Sequence, residues 1–233
     1  MTMKKSHFTL LVLLPLFSFG QHIEIKYIGN CAYRIRLDSA EIFTDFPYKP
    51  GAYGYMTYEI DSAGLGKPNQ YLLFTHKHRD HYWGKPVRKS GLPKYTPFLP
   101  NAKKKKILQE LSAKHGITIK TFKTGHRYSF RHRSMAIEWK GRKIFVFGDT
   151  EHDFPEYLKS DTMDLVFACG WQVPQLKNQH CDYKIRNFVV YHLYPQESGN
   201  RELLVPFLDK QLGFLSVKPR YVILKQYEST SLD

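Results

Sequence analysis

One ten-residue stretch, Leu72-Leu73-Phe74-Thr75-His76-Lys77-His78-Arg79-Asp80-His81, constrains this chain more than any other part of it. A compact apolar run ends, and three histidines and an aspartate follow within six residues. In an extended segment residues i and i+2 face the same side, so His76 and His78 can approach one ion together. Asp80 and His81 come where the chain turns and can face a second ion beside the first. Imidazole and carboxylate at this density suit zinc or a similar borderline metal. An exposed polar loop would need no such spacing. The chain therefore has to fold so that a strand delivers this loop to a metal.

The remaining sequence alternates short β-rich runs with helical ones. His22–Ile28, Ala32–Leu37 and Glu41–Thr44 read as strands separated by Gly29-Asn30 and Asp38-Ser39, and Tyr71–Phe74 is a compact apolar strand. Residues 101–115 read as a helix with Ile107, Leu108 and Leu111 facing inward, Lys103–Lys106 on a solvated face and Gly116 as the stop. Strands follow at Ile117–Phe122, Arg127–Phe130, Met135–Trp139 and Lys143–Phe147, with a hairpin turn at Gly141-Arg142. Asp164–Ala168, Phe188–Tyr191 and Arg220–Leu224 read as further strands, and Glu202–Leu212 as a second amphipathic helix. No linker or repeat interrupts this order, so residues 21–233 are expected to form one domain.

The first twenty residues stand apart. Lys4 and Lys5 precede the apolar run Phe8–Phe19, which is shorter than the roughly 17–25 residues of a membrane span. Small residues at Ser18 and Gly20 then mark a cleavage site before Gln21, so residues 1–20 read as a signal peptide. The expectation is an exported protein, periplasmic or secreted, with no span in the mature chain. Export permits disulfides, but Cys31, Cys169 and Cys181 are too few for a disulfide scaffold. A bridge between Cys169 and Cys181 stays open beside buried free thiols. With 42% hydrophobic and 24% charged residues the chain is neither disordered nor a multi-span membrane protein. Its formal charge is +14; Lys4 and Lys5 account for two of these, leaving +12. Such a surface favours anionic partners.

The central motif His76-x-His78-x-Asp80-His81 resembles that of the metallo-β-lactamase fold superfamily, and support follows in the family's order. Tyr27–Ile35 with Ile42-Phe43-Thr44-Asp45 is similar to its first strands and their terminal aspartate. His132–Glu138 looks like the strand carrying the third histidine, Phe147-Gly148-Asp149-Thr150 like the turn that places a bridging aspartate, and Val189-Val190-Tyr191-His192 like the last ligand strand. The resemblance implies a four-layer αββα sandwich with metals at one edge of its two sheets. It implies that His76, His78 and His132 hold a first metal, that Asp80, His81 and His192 hold a second, and that Asp149 bridges them. His126 is the alternative to His132; the strand expected at Arg127–Phe130 favours His132. Asp45 is the expected outer carboxylate that fixes a ligand imidazole, with a capping role as its rival.

Two such metals, zinc by preference with manganese or iron as alternatives, imply hydrolysis by an activated water, with Asp80 or Asp149 in proton transfer. No G-x-S-x-G elbow or P-loop competes with that chemistry. True β-lactamases with a full dinuclear site commonly carry Cys where Asp149 stands, so antibiotic hydrolysis is disfavoured. The opening strands resemble most the branch of ascorbate-phosphate lactonases and related small hydrolases. The expected substrate is a small anionic ester, lactone or phosphodiester; nucleic acid is less favoured, and the extra domain of the family's RNA-processing nucleases has no room here. His152, Tyr82, Trp83, Trp171 and Tyr194 lie near the motifs as candidate pocket residues. Two readings of other classes stay open: a mononuclear-iron sulfur dioxygenase, and a non-catalytic binding protein. Oligomeric state is not encoded in any motif.

Overall fold

The opening strands divide their side chains between two cores. In β1 (Ile23–Gly29), β2 (Ala32–Leu37) and β3 (Ala40–Thr44), Ile25, Tyr33, Ile35 and Ile42 enter the main core, while Ile28, Ala32 and Phe43 enter a smaller one. β4 (Gln70–Leu73) repeats the division, with Tyr71 and Leu73 against Leu72. Successive strand residues point to opposite faces, so apolar residues at both parities mean a sheet covered on both sides. Two short helices, α1 (Ile60–Ala63) and α2 (Gly84–Lys89), close the smaller core through Ala63 and Val87. β5 (Lys94–Tyr95) is followed by α3 (Asn101–His115), whose Leu111 is buried and whose end is set by Gly116 at φ 65°. The computed structural model describes residues 22–152, 154–179 and 181–232; the leader expected over residues 1–20 lies outside them.

The second half supplies β6 (Ile117–Lys123), β7 (Arg133–Trp139), β8 (Arg142–Val146), α4 (Tyr157–Ser160), β9 (Met163–Cys169), α5 (Gln172–Asn178), β10 (Ile185–Tyr191), α6 (Arg201–Leu212), β11 (Arg220–Val222) and β12 (Ser229–Leu232). Two six-stranded sheets result, ordered β12-β1-β2-β3-β4-β5 and β11-β10-β9-β8-β7-β6. Every residue of β9 is buried: Phe167 meets Tyr33 of the first sheet in the main core, and α5 packs on β9 with α6 beside it. This is the expected four-layer αββα sandwich. The parallel pairs β3–β4, β8–β9 and β9–β10 bring successive strand ends to a common edge.

One expected strand is absent. Residues 127–130 form turns, Tyr128 sits at φ 62° and Phe130 is 96% exposed. Their aromatic content imitates a strand, but the left-handed residue breaks the extended path. Conversely β12 escapes notice in the sequence because Ser229, Thr230 and Ser231 are polar; it is an edge strand paired with β1. Among the described residues no helix is long and apolar enough to cross a membrane.

Candidate metal centre

The loops leaving β1, β3, β4, β6, β8 and β10 converge, and they bring two groups of donor atoms together. In the first, the ring nitrogens of His76, His78 and His126 lie within 4.8 Å of one another. His126 Nε2 is 3.1 Å from His78 Nδ1. In the second, Asp149 Oδ2 is 3.0 Å from His81 Nε2 and 3.2 Å from His192 Nε2. Asp80 Oδ2 joins this group, 3.3 Å from His192 Nε2 and 3.7 Å from His81 Nε2. The same Asp149 oxygen is 3.9 Å from both His76 Nε2 and His126 Nε2. A single carboxylate oxygen thus stands between the two groups.

Several buried atoms here have no protein partner. They include His76 Nε2, Asp80 Oδ1 and His192 Nδ1. Buried polar atoms are normally paired because desolvation is costly, so an unpaired His76 Nε2 aimed at Asp149 Oδ2 across 3.9 Å leaves room for a cation between them. His76 is aimed by its other nitrogen, 3.0 Å from Thr75 Oγ1. Asp45 accepts from Thr75 N at 2.7 Å and Thr75 Oγ1 at 2.8 Å, and lies 2.9 Å from His81 Nδ1. The expected outer carboxylate therefore touches His81 directly. Asp45 and His192 both adopt left-handed backbone, at φ 47° and 65°, a strain that tends to gather at functional sites.

His132, expected beside His76 and His78, lies outside that group. Its Nε2 accepts from the Asp149 backbone N–H at 2.9 Å, and its Nδ1 lies 2.7 Å from Thr124 Oγ1. Both ring nitrogens are used inside the protein, and the ring is fully buried. The histidine grouped with His76 and His78 is His126 instead. The reason is the missing strand: β6 ends at Lys123, so the loop it feeds into the site carries His126. His132 precedes β7 and braces the aspartate turn from behind.

That turn is held tightly. Gly148 sits at φ 64°, and a Cβ there would lie 2.4 Å from His132 Nε2, so only glycine fits. The Gly148 carbonyl accepts from Gln172 Nε2 at 2.7 Å and from the Tyr191 hydroxyl at 2.9 Å. Cys169 Sγ is 3.5 Å from Asp149 Oδ1, and Cys31 Sγ is 4.0 Å from it and 3.7 Å from His81 Nε2. All three cysteines are free thiols. Asn30 ties the sheets together: its Nδ2 donates to Asp80 O at 2.7 Å, and its carbonyl accepts from His192 N. Sequence reasoning missed Asn30, Thr124, Gln172 and Tyr191. Only the Gly29-Asn30 turn left any signal for them.

The electrostatics are those of a cation site. Burial would push Asp149 up, but His192 and His81 hold its carboxyl well below the usual range. Asp80 is likewise lowered: burial pushes it up, and His81 and His192 together outweigh that. In return, and against burial, Asp149, Asp45 and Asp80 raise His81 well above an ordinary imidazole, and Asp149 raises His192. Burial lowers His76 and His126, leaving neutral rings, which is the form that binds metal. Burial also takes His132 down to about 3.

The surroundings are asymmetric. His126, His152 and Phe130 share a groove with Lys123, which also lines a neighbouring groove with Lys104 and Arg133; Arg131 lines a third beside these two. Trp171 and Tyr194 line a cavity with His192. Trp83 instead lines a separate cleft with Lys85 and Lys89, and Tyr82 packs on Phe74 and Phe98.

No protein-family model matches the chain, and no curated protein matches it. Solved structures do. Igni18, a metallo hydrolase from the archaeon Ignicoccus hospitalis, aligns with a TM-score of 0.62 at 13% identity over 91% of this chain and 99% of its own. An isothiocyanate hydrolase from Delia radicum gut bacteria aligns at 0.57 and 12% identity, over 89% and 98%. The metallo-β-lactamase fold protein YhfI from Bacillus subtilis aligns at 0.54 and 13%, over 90% and 99%. The likeness establishes the metallo-β-lactamase fold for this chain.

Proposed function

We propose that this chain is a metal-dependent hydrolase with a dinuclear centre. In this reading His76, His78 and His126 hold one ion, Asp80, His81 and His192 hold the other, and Asp149 touches both. The observation that carries it is the Asp149 carboxylate oxygen set between two groups of donors. Hydrolase names among proteins of the same fold add support. When bound, the metals supply Lewis acidity that activates water and polarises the scissile bond. Cys31 beside His81, and imidazole in both groups, favour zinc over harder ions.

The protein's own residues supply the rest. Asp45 orients His81 through Nδ1, while Thr75 orients His76. His132, Gln172 and Tyr191 fix the turn that carries Asp149. Asp80, with one oxygen facing the histidines and the other unpaired, is placed to take up a proton. Lys123, Lys104, Arg131 and Arg133 in the grooves beyond His126 favour an anionic substrate group, an ester, lactone or phosphodiester. The leader expected from the sequence over residues 1–20 suits an exported enzyme.

The test is hydrolysis of lactone, phosphodiester and nitrocefin-type substrates by the protein as purified, after chelation, and after zinc is restored. Turnover of an anionic substrate that is lost on chelation and regained with zinc is the expected result. Efficient β-lactam turnover alone would overturn the substrate class. Activity restored by iron alone, with consumption of oxygen, would replace the hydrolase by a dioxygenase.

A further inference from the structure

The cavity on the other side of His192 has a different chemistry from the basic grooves. It measures about 410 Å³ and is lined by Tyr55, Trp171, Val190, Leu193, Leu203 and Phe207 around His192. That volume lies within the range of roughly 300–1,000 Å³ typical of small-molecule sites. No Lys or Arg lines it, although the chain carries +14. Its one acid, Glu197, is occupied, its Oε2 accepting from Tyr194 N at 2.7 Å. The basic grooves begin at His126 and this cavity begins at His192; they share no lining residue.

His192 itself forms part of the wall. Tyr55 and Trp171 make T-shaped contacts with its ring at centroid distances of 4.4 and 4.8 Å, and Tyr55 stacks on Tyr194 at 4.6 Å. Trp171, Tyr194 and Leu203 are 39%, 40% and 50% exposed, so three large apolar side chains are left open together around this cavity, as Tyr128 and Phe130 are near the groove of His126. Such grouping marks a binding site more than scattered surface residues do. A group occupying the cavity ends against a member of the proposed metal centre.

We infer that the substrate is amphiphilic, with an apolar acyl or aryl portion held in the cavity beside His192. The inference rests on the hydrolase reading and narrows its substrate class. It assigns Tyr55, Trp171, Leu203 and Phe207 to specificity rather than to the chemical step.

Trp171 makes occupancy measurable directly. The metal-loaded full chain is titrated with octanoate and with acetate, reading tryptophan fluorescence, and the signal is compared with Trp171→Phe. Both ligands carry the same carboxylate, so their difference isolates the chain. Each methylene that enters should tighten binding about four-fold. Octanoate should therefore bind at least about 100-fold more tightly than acetate, with the signal lost in Trp171→Phe. The half-exposed Leu203→Asp should bring octanoate back towards acetate. In a second arm, kcat/KM of p-nitrophenyl esters should climb from acetate to octanoate. Octanoate binding no tighter than acetate would overturn the inference even if the esters are hydrolysed. Concentration-dependent change of the Trp171 signal without ligand would also overturn it, assigning the surface to contact between copies. Metal-dependent turnover of no ester at any length, and of no lactone or phosphodiester either, would sink the hydrolase reading separately, because the fluorescence arm still decides what the cavity holds.

Discussion

Replacing His132 by alanine separates a brace from a ligand. In the folded protein this ring accepts from the Asp149 backbone N–H at 2.9 Å and meets Thr124 Oγ1 at 2.7 Å. Thr124 keeps a second partner, Ser134 Oγ at 3.1 Å, whereas the Asp149 N–H has no other acceptor. A buried donor left unsatisfied costs about 1–3 kcal/mol, and the vacated volume adds to it, so a loss of about 2–4 kcal/mol follows. The cost should depend on pH with a definite sign. Burial holds His132 down to about 3, so the unfolded chain, near 6.5, takes the proton first. Wild-type stability therefore drains as pH falls from about 6.5, by up to about 1.4 kcal/mol per unit from this group. The alanine variant lacks that drain. Its disadvantage at pH 5 should be smaller than at pH 7 by about 2 kcal/mol. Urea unfolding of the chelator-treated proteins at both pH values measures this. Metal bound in the presence of excess zinc is measured alongside, for this variant and for His126→Ala. His132→Ala should keep the wild-type number of ions, and His126→Ala should lose one. An unchanged midpoint for His132→Ala, together with loss of an ion, would refute the assignment.

Three further outcomes are expected. Asp45→Asn removes the carboxylate on His81 Nδ1 and should weaken metal binding or activity by about 10–100-fold while leaving the fold intact, as circular dichroism and a zinc competition titration would show. Zinc affinity should rise with pH between about 6 and 8, because Asp149 and its neighbours hold protons on His81 and His192 that metal must displace; a chelator competition that is flat over that range would contradict it. Mass spectrometry of the protein recovered from outside the cytoplasm should find a chain beginning at Gln21, and an intact residue 1–20 segment would remove the export reading.

What the sequence revealed and what it hid follow from the physics of each element. The 76–81 cluster stood out because ligand types at strand spacing have no structural reason to occur. The Gly148-Asp149 turn was legible through its resemblance to the family's Gly-Asp-Thr; the structure supplies the reason for the glycine, a ring so close behind it that no Cβ fits. The sequence favoured His132 over His126 because Tyr128 and Phe130 imitate a strand; nothing local betrays the left-handed tyrosine that brings His126, rather than His132, beside His76 and His78. Gln172 was invisible for another reason: a lone glutamine at a helix start has no periodicity, and its role exists only once β8 and α5 are packed together. The apolar cavity needed α6 to place Leu203 and Phe207 opposite Tyr55, a long-range contact that no window of sequence contains.

Metal content and metal spacing test the dinuclear centre most directly. Purified protein, saturated with zinc and freed of excess, should hold two ions per chain, and X-ray absorption should show a metal–metal vector at about 3.5–4 Å. Asp149→Ala should abolish that vector. A single ion with no metal–metal scattering, or two ions whose spacing is unaffected by the loss of Asp149, would contradict a centre built around that carboxylate.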